Sequence, residues 1–311
     1  ARDAGIGSCA GAGDGGAGSG SGESNGAGSG GTQTGSSHGT EKTGWEGKGA
    51  ELLGLSGEVT KDAFEKILNG ELPSGEKIGQ VPNRQSGLDL TFSMPKSASI
   101  LALVSGDERI LNAHWSAVKE TMSWVEGKFA EGRTYERTKS GEPVKTGNLV
   151  YALFAHETSR ALDPQGHIHV VIANLTRMAN GAWQALHNGQ LWKNNSVIGA
   201  AYHAAFREKL AELGYETRIT GKHGQFEING VPKEAIDEFS KRREAIVEKA
   251  KELGLSSPAA IDKVTTNTRD PKLNVEDREK LAADWRERAA AIGFDGKQVI
   301  EEAKYRAAGT T

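Results

Sequence analysis

The sequence predicts an α+β fold: a mainly antiparallel central sheet packed with helices, and a helical subdomain at its C-terminal end. Three observations carry this. Residues 87–94, GLDLTFSM, alternate strictly between apolar and polar. Two apolar strand-like runs, NLVYALFA (148–155) and HIHVVIANL (167–175), follow each other closely. Between these regions an apolar stripe recurs at spacings of four and three, from Leu111 through Trp115, Val118, Met122 and Val125 to Phe129. Period two marks a half-buried strand, and period 3.6 marks a helix with one face in the core.

Taken in chain order, residues 1–44 read as a linker or unstructured arm. Gly supplies 15 of the first 40 positions, and chain so poor in large apolar side chains cannot offset the entropy of ordering. Ordered structure is expected from Trp45. EVTKDAFEKILNGEL reads as a short helix that Gly70 ends. In 87–94, Leu88, Leu90, Phe92 and Met94 take one face, and Asp89, Thr91 and Ser93 take the other. A long helix follows Asp107, a suitable N-cap. ERTKSGEPVKTG is turn-rich, and the two strand-like runs come next. A helix is expected near 194–213, stopping at Gly214, and then a hairpin of YETRIT and GQFEIN joined by GKH. Pro232 opens a charged helix that ends before Gly254, and NVEDREKLAADWRERAAAIG forms another. The expected division is an arm at 1–44, a core at 45–230 and a helical subdomain at 231–311.

Composition excludes several classes. A net charge of −3 argues against a wholly basic nucleic-acid coat but allows a local basic groove. The single cysteine, Cys9, excludes a disulfide scaffold and a Cys-rich zinc module. No run approaches the ~18 apolar residues of a membrane span, and no apolar signal segment opens the chain. The expected setting is the cytoplasm, without membrane insertion. GWEGKGAE is not a phosphate-binding loop, because Gly49 rather than Ser or Thr follows Lys48. His114, His187, His203 and His223 stand isolated and read as structural or exposed, and His38 falls in the Gly-rich arm.

The informative stretch is FAHETSRALDPQGHIHVVIAN. His167 and His169, two apart on a strand, leave the same face. If the two runs pair as an antiparallel hairpin, His156 falls beside them, and three imidazoles can converge on one divalent cation. Three neutral ligands leave such a cation its double charge and open positions, which suits polarising a phosphate oxygen. Asp89, on the polar face of another strand, is placed to orient one imidazole. The competing reading is a polar strand surface with no ligand. A three-His zinc hydrolase is a further alternative, but no Glu or Asp base is placed as in an HExxH helix.

These motifs, DLTFSMPKS, TGNLV, HETSR-x-x-DPQ-x-H-x-H and W-x-GKGAE-x-LGL, resemble the relaxase domain of conjugative plasmids, of the TraI/TrwC (MobF) class, a branch of the HUH endonucleases. The resemblance is dense from Trp45 to Asn174 and looser through LGYETRITGKHGQFEI. It implies a palm-like HUH sheet and binding of a hairpin and adjoining single strand at a plasmid origin of transfer. It also implies nicking and joining by a tyrosine hydroxyl that leaves a 5′-phosphotyrosyl link and a free 3′-OH. His156, His167 and His169 then hold one divalent metal ion, Mg or Mn in function, with Zn, Ni or Cu able to bind tightly. Asp89 matches the family's aspartate, and Lys96 and Arg160 are assigned to phosphate contact or local structure. Residues 231–311 become a DNA clamp. Accessory relaxosome proteins and a coupling protein are the further partners implied, and the chain is expected to be a relaxase fragment of a donor-cell protein.

The sequence departs from the family at the nucleophile. Its five tyrosines are Tyr135, Tyr151, Tyr202, Tyr215 and Tyr305, none in the N-terminal arm. The family's first tyrosine pair aligns with Gly15 and Gly16. The Gly-rich arm, where the family also places its first strand, reads as a poor strand. The expected function is site- and strand-specific nicking and joining of DNA at a plasmid origin of transfer by a metal-assisted tyrosine that is missing from this sequence, so that the chain as it stands binds metal and DNA without covalent nicking. The alternative is a catalytically silent metal- and single-stranded-DNA-binding module.

Overall fold

The computed structural model describes residues 42–136, 139–159, 161–241, 248, 252 and 278–309, and the backbone of 5–10. The strand alternation at 87–94 organises it. Strand β3 (Gln85–Ser93) buries Leu88, Leu90 and Phe92, with Met94 just beyond, and leaves Asp89, Thr91 and Ser93 half-buried on the other face. Each such apolar side chain contributes about 1.5–3 kcal/mol of burial. A one-residue slip would turn the whole set to the wrong side.

The strand β3 lies inside a five-stranded antiparallel sheet of order β1-β3-β7-β6-β2. Its partners are β7 (Pro164–Ala173), β6 (Tyr151–Thr158), and the edges β2 (Thr43–Glu46) and β1 (Gly5–Ala10). The two apolar runs are therefore neighbours, as expected. The arm is corrected in two places. Gly5–Ala10 pairs along β3, with Gly5 opposite Thr91 and Gly7 opposite Asp89, and order resumes before Trp45. An edge strand needs only backbone donors and acceptors matching its neighbour's, so small side chains that carry no readable alternation still serve.

One sheet face carries the main core. Helix α4 (Glu108–Phe129) begins at Asp107, whose carboxylate accepts from the Arg109 amide at 3.2 Å. Its most buried line runs through Ile110, Ala117, Val118, Met122 and Val125, with Leu111, Trp115 and Phe129 at the margin. Helix α6 (Asn195–Glu212), preceded by the short α5 (Gly189–Lys193), packs against α4. It stops at Gly214, whose φ of 84° and whose approach to Ala303 (a Cβ there would lie 1.9 Å from that carbonyl oxygen) exclude a side chain. A short α3 (Lys96–Ser99) runs into a π-helical turn at Ile100–Val104, neither foreseen from sequence.

The other face is partly covered by α1 (Lys48–Leu52) and α2 (Lys61–Leu68). Thr60 caps α2, and Phe64 packs edge-on against Phe154 of β6 at 5.0 Å. The GKG motif is a backbone clamp. Glu126 accepts from the amides of Lys48 and Leu149, each at 2.8 Å, and Gly49 is pressed so close to the Leu149 carbonyl that a Cβ would sit 2.6 Å from it.

The turn-rich stretch after α4 folds as a hairpin, β4 (Glu131–Thr134) and β5 (Glu142–Lys145). A two-residue pair, β8 (Thr176–Arg177) and β9 (Trp183–Gln184), follows the sheet, and the predicted hairpin appears as β10 (Thr217–Ile219) and β11 (Phe226–Ile228). Helix α7 (Lys233–Glu238) starts at Pro232 and breaks at the fully buried Phe239, and beyond it the described residues Lys241, Glu248 and Glu252 are helical. Most of the remaining predicted helix lies outside the described residues. Helix α8 (Arg278–Ala291) is the second expected helix, and α9 (Gly296–Gly309) was not foreseen. Trp285, Ala289, Val299, Ile300 and Ala303 join the main core, which runs on past residue 231.

Candidate metal centre

Helix α2 covers the polar sheet face only as far as Phe154. Along β6, the residues Ala152, Phe154 and His156 share that face. Beside them on β7 stand Val171, His169 and His167, and beyond those on β3 stand Asp89, Thr91 and Ser93. His156 is directly opposite His167 across the ladder, and Thr91 is opposite His169. The predicted trio therefore meets. Its ring centroids are 5.3, 5.2 and 5.2 Å apart.

Hydrogen bonding fixes two of the three rings. The Nδ1 of His169 lies 2.8 and 3.0 Å from the two Asp89 oxygens, with Thr91 Oγ1 at 3.2 Å. The Nδ1 of His167 lies 2.9 Å from the Gln165 carbonyl oxygen. A carbonyl or carboxylate only accepts, so each Nδ1 carries the proton and, in the neutral ring, Nε2 carries the lone pair. Asp89 thus stands where the sequence placed it, behind one imidazole. Side-chain exposures of 31% for His169 and 27% for Asp89 leave this corner open to a ligand.

Three histidine nitrogens suit borderline cations such as Zn²⁺, Ni²⁺ or Cu²⁺. Among the described residues no group of three or more His, Cys, Asp or Glu side chains stands with its donor atoms already gathered to hold a metal ion, so the three rings would have to turn their free nitrogens inward to do so. The ring spacing nonetheless fits a shared cation. An Nε2 at about 2.0–2.1 Å puts its ring centre about 3.2 Å from the metal, and three such rings in tetrahedral directions stand about 5.2 Å apart.

The remaining site candidates fall out differently. Lys96 donates to the Pro164 carbonyl oxygen at 2.8 Å, a structural contact. Burial pushes its amine down to about 8, against the opposing pull of Asp163 and Glu227. Arg160, Gly15 and Gly16 lie outside the described residues. Of the tyrosines, Tyr151, Tyr202 and Tyr215 are buried in the main core, Tyr135 adjoins the β4–β5 hairpin, and Tyr305 is exposed on α9. Sequence reading missed the ring of contacts around the β6–β7 turn. Its one signal was Asp163, within the quoted DPQ motif.

A family model described as TrwC relaxase matches residues 32–292. Two curated proteins, both named multifunctional conjugation protein TraI, are similar. One, from Escherichia coli, is 41% identical over 276 residues, and one, from strain K12, is 40% identical over 277. Each match covers 85% of this chain and 15% of the relative, so the chain spans a small part of those proteins. Among solved structures, conjugative relaxase TrwC with OriT DNA in metal-free form is 40% identical, with a TM-score of 0.77 over 82% of this chain and 92% of that one. A copper-bound form of the same complex is 41% identical (TM-score 0.76; 82% and 89% covered). TrwC with a 27-mer carrying the recognition hairpin and the cleavage site is 41% identical (TM-score 0.76; 82% and 92% covered).

Proposed function

This chain belongs to the TrwC relaxase family, and from that premise we propose that it acts in site- and strand-specific nicking and joining of DNA at a plasmid origin of transfer. The observation that carries the reading to this chain is the pair of fixed tautomers beside a third histidine. His167 and His169 each have Nδ1 held by an acceptor, with His156 opposite. His156, His167 and His169 hold one divalent cation, Mg²⁺ or Mn²⁺ in function, with Zn²⁺, Ni²⁺ or Cu²⁺ binding more tightly. Copper in a 41% identical relative supports the donor set. When bound, the cation draws charge from a non-bridging oxygen of the scissile phosphate. Asp89 holds the His169 proton at Nδ1 and so keeps Nε2 a ligand.

The partner is a DNA hairpin with its adjoining single strand, and Lys and Arg contacts to phosphate make the affinity fall with salt. Trp192, 43% exposed on α5, is a candidate for stacking on an unpaired base, whereas Trp183 packs against the smaller core cluster. Accessory relaxosome proteins, a coupling protein and a cytoplasmic setting complete the reading. Among the described residues no helix is long and apolar enough to cross a membrane. Residues 231–311 serve as the clamp on the strand.

The attacking hydroxyl decides between nicking and binding alone. In-line attack needs an oxygen within ~3–3.5 Å of the phosphorus, which becomes the 5′-phosphotyrosyl bond as the 3′-oxygen leaves. The family resemblance would place its first tyrosine pair at Gly15 and Gly16, which carry no hydroxyl. No tyrosine among the described residues belongs to the strands that carry the histidine face except Tyr151, whose side chain lies in the opposite core. This favours the second reading, a silent metal- and single-stranded-DNA-binding module.

Incubation with origin single-stranded DNA and Mg²⁺ tests both readings. The expected result is tighter binding to hairpin single strand than to blunt duplex, without a covalent band. Gly15→Tyr or Gly16→Tyr should restore the adduct. Equal affinity for both DNAs at fixed salt overturns the binding reading. A phosphotyrosyl adduct mapped to one of the five present tyrosines overturns the silent one.

A further inference from the structure

The hairpin that carries His156 and His167 has an irregular tip. His156 pairs with His167 and Thr158 pairs with Pro164, so two steps on β6 face three on β7. This bulge lies directly beside the paired histidines. Beyond it the alternation no longer enforces register, and a one-residue shift would move His156 or His167 off the site face. The turn also holds Leu162 at φ 58°, a left-handed conformation unfavourable for a leucine. Inside the turn, the Ser159 amide donates to the Asp163 carbonyl oxygen at 2.9 Å, and the Ser159 carbonyl oxygen accepts from the Leu162 amide at 3.0 Å.

It is held residue by residue from other elements. The Trp285 indole N–H of α8 donates to the Leu162 carbonyl oxygen at 2.9 Å. The Arg288 guanidinium donates to Asp163 Oδ1 at 3.2 Å, and the Lys241 amide donates to Asp163 Oδ2 at 2.9 Å. Lys96 of α3 donates to the Pro164 carbonyl oxygen at 2.8 Å. Gln165 donates its side-chain amide to the Met94 carbonyl oxygen at 2.9 Å, and its own carbonyl accepts the His167 Nδ1 proton. On the β6 side, Arg278 of α8 pairs with Glu157 at 3.5 Å, next to His156. Arg288 is itself locked by Glu238 at 2.8 Å and lies 4.7 Å over the Phe239 ring. The Asp163 side chain is 1% exposed, so losing these partners would leave buried carboxylate oxygens without hydrogen bonds.

We infer that Arg288 and Trp285 are positioning residues for the histidine site: docking of α8 on the β6–β7 turn sets His156 opposite His167. Helix α8 thereby acts on cation affinity without touching the cation. This rests on the proposed three-histidine site.

The test uses the whole 311-residue chain, with Ni²⁺ alone as the probe, titrated calorimetrically at a temperature where far-UV circular dichroism shows each variant folded. Arg288→Met and Trp285→Phe should each weaken Ni²⁺ binding about tenfold, the low end of what loss of a supporting partner costs a metal site. Lys209→Met breaks a 2.8 Å ion pair to Glu120 between α4 and α6, and should leave the affinity within about twofold. Amide hydrogen exchange across 156–167 supplies a readout that needs no metal, and protection there should fall in both α8 variants and stay in the control. Folded α8 variants with unchanged affinity and unchanged protection overturn the inference. If the unaltered chain binds no Ni²⁺, the metal reading falls, and exchange alone decides the positioning claim. If Arg288→Met does not fold, the milder Trp285→Phe decides it.

Discussion

Two groups of histidines lie on opposite sides of one sheet, and the same side chain meets opposite fates there. On the open face, His167 and His169 each donate the Nδ1–H to an oxygen, which sets Nε2 as the lone-pair nitrogen beside His156. In the core, His114 of α4 and His203 of α6 flank Tyr202, with ring centroids 5.6 and 5.3 Å from it. The Tyr202 hydroxyl lies 2.8 Å from His114 Nδ1, but His114 Nε2 has no partner. Burial first, and the nearby His167 second, push His114 down to about 3. An imidazole becomes a ligand candidate when an acceptor fixes one nitrogen and the fold turns the other toward its neighbours. Packed among aromatic rings and pushed far down by burial, the His114 imidazole is a neutral spacer.

The largest expected effect breaks or confirms the core half of this contrast. His114 has a folded value of about 3 against an ordinary 6.5, so below pH 6.5 the unfolded chain takes up a proton that the folded chain refuses. Its contribution is intact above pH 6.5 and is lost progressively as pH falls toward 3. At about 1.36 kcal/mol per unit, roughly 3 kcal/mol is gone by pH 4. Urea unfolding at pH 7 and pH 4 should show this loss in the unaltered chain and show it smaller by about that amount in His114→Leu. Equal losses in the two chains would mean that the buried imidazole does not govern the acid response.

The open face should respond in metal affinity instead. His167→Ala removes one of the three proposed ligands and should weaken Ni²⁺ binding by on the order of a hundredfold or more. Asp89→Asn keeps every ligand but loses the charge behind His169, and should cost about 10- to 100-fold. Calorimetric titration checks both, with His114→Leu as the comparison that should bind normally at pH 7. If all three behave alike, the distinction between the two histidine groups is wrong.

Much of the open face was legible because its chemistry rides on the strongest local signal. Period-two alternation put Asp89 on the polar side of β3, and His-x-His put two imidazoles on one face of β7. The β6–β7 pairing then needed only a hairpin. What escaped has a physical reason in each case. Strand β1 is built from Gly, Ser, Ala and single larger residues, so its pairing along β3 resides in backbone groups that every sequence possesses. The π-helical turn at Ile100–Val104 is uniformly apolar and shows no period to read. His114 and His203 look isolated because 88 residues separate His114 from Tyr202, and only the packing of α4 on α6 unites them. The hold of α8 on Asp163 spans 125 residues for the same reason.

The smallest effect sharpens the contrast within the open face itself. The Thr91 hydroxyl lies 3.2 Å from the His169 Nδ1 that Asp89 already engages at 2.8 Å. One N–H shared between a carboxylate and a hydroxyl belongs mainly to the carboxylate, since charge-assisted hydrogen bonds are shorter and about twice as strong. Thr91→Val keeps the β-branched shape on β3 and removes only the weaker partner. At about 0.5–1.5 kcal/mol for a neutral hydrogen bond, the ceiling is a two- to tenfold loss of Ni²⁺ affinity, and the sharing should place the result near the lower end. Combined with Asp89→Asn the loss should grow, because the hydroxyl then shares the His169 N–H with a neutral amide oxygen instead of a carboxylate and carries more of the hold. A double variant no weaker than Asp89→Asn alone would show that the carboxylate orients the imidazole unaided and that Thr91 serves only the strand.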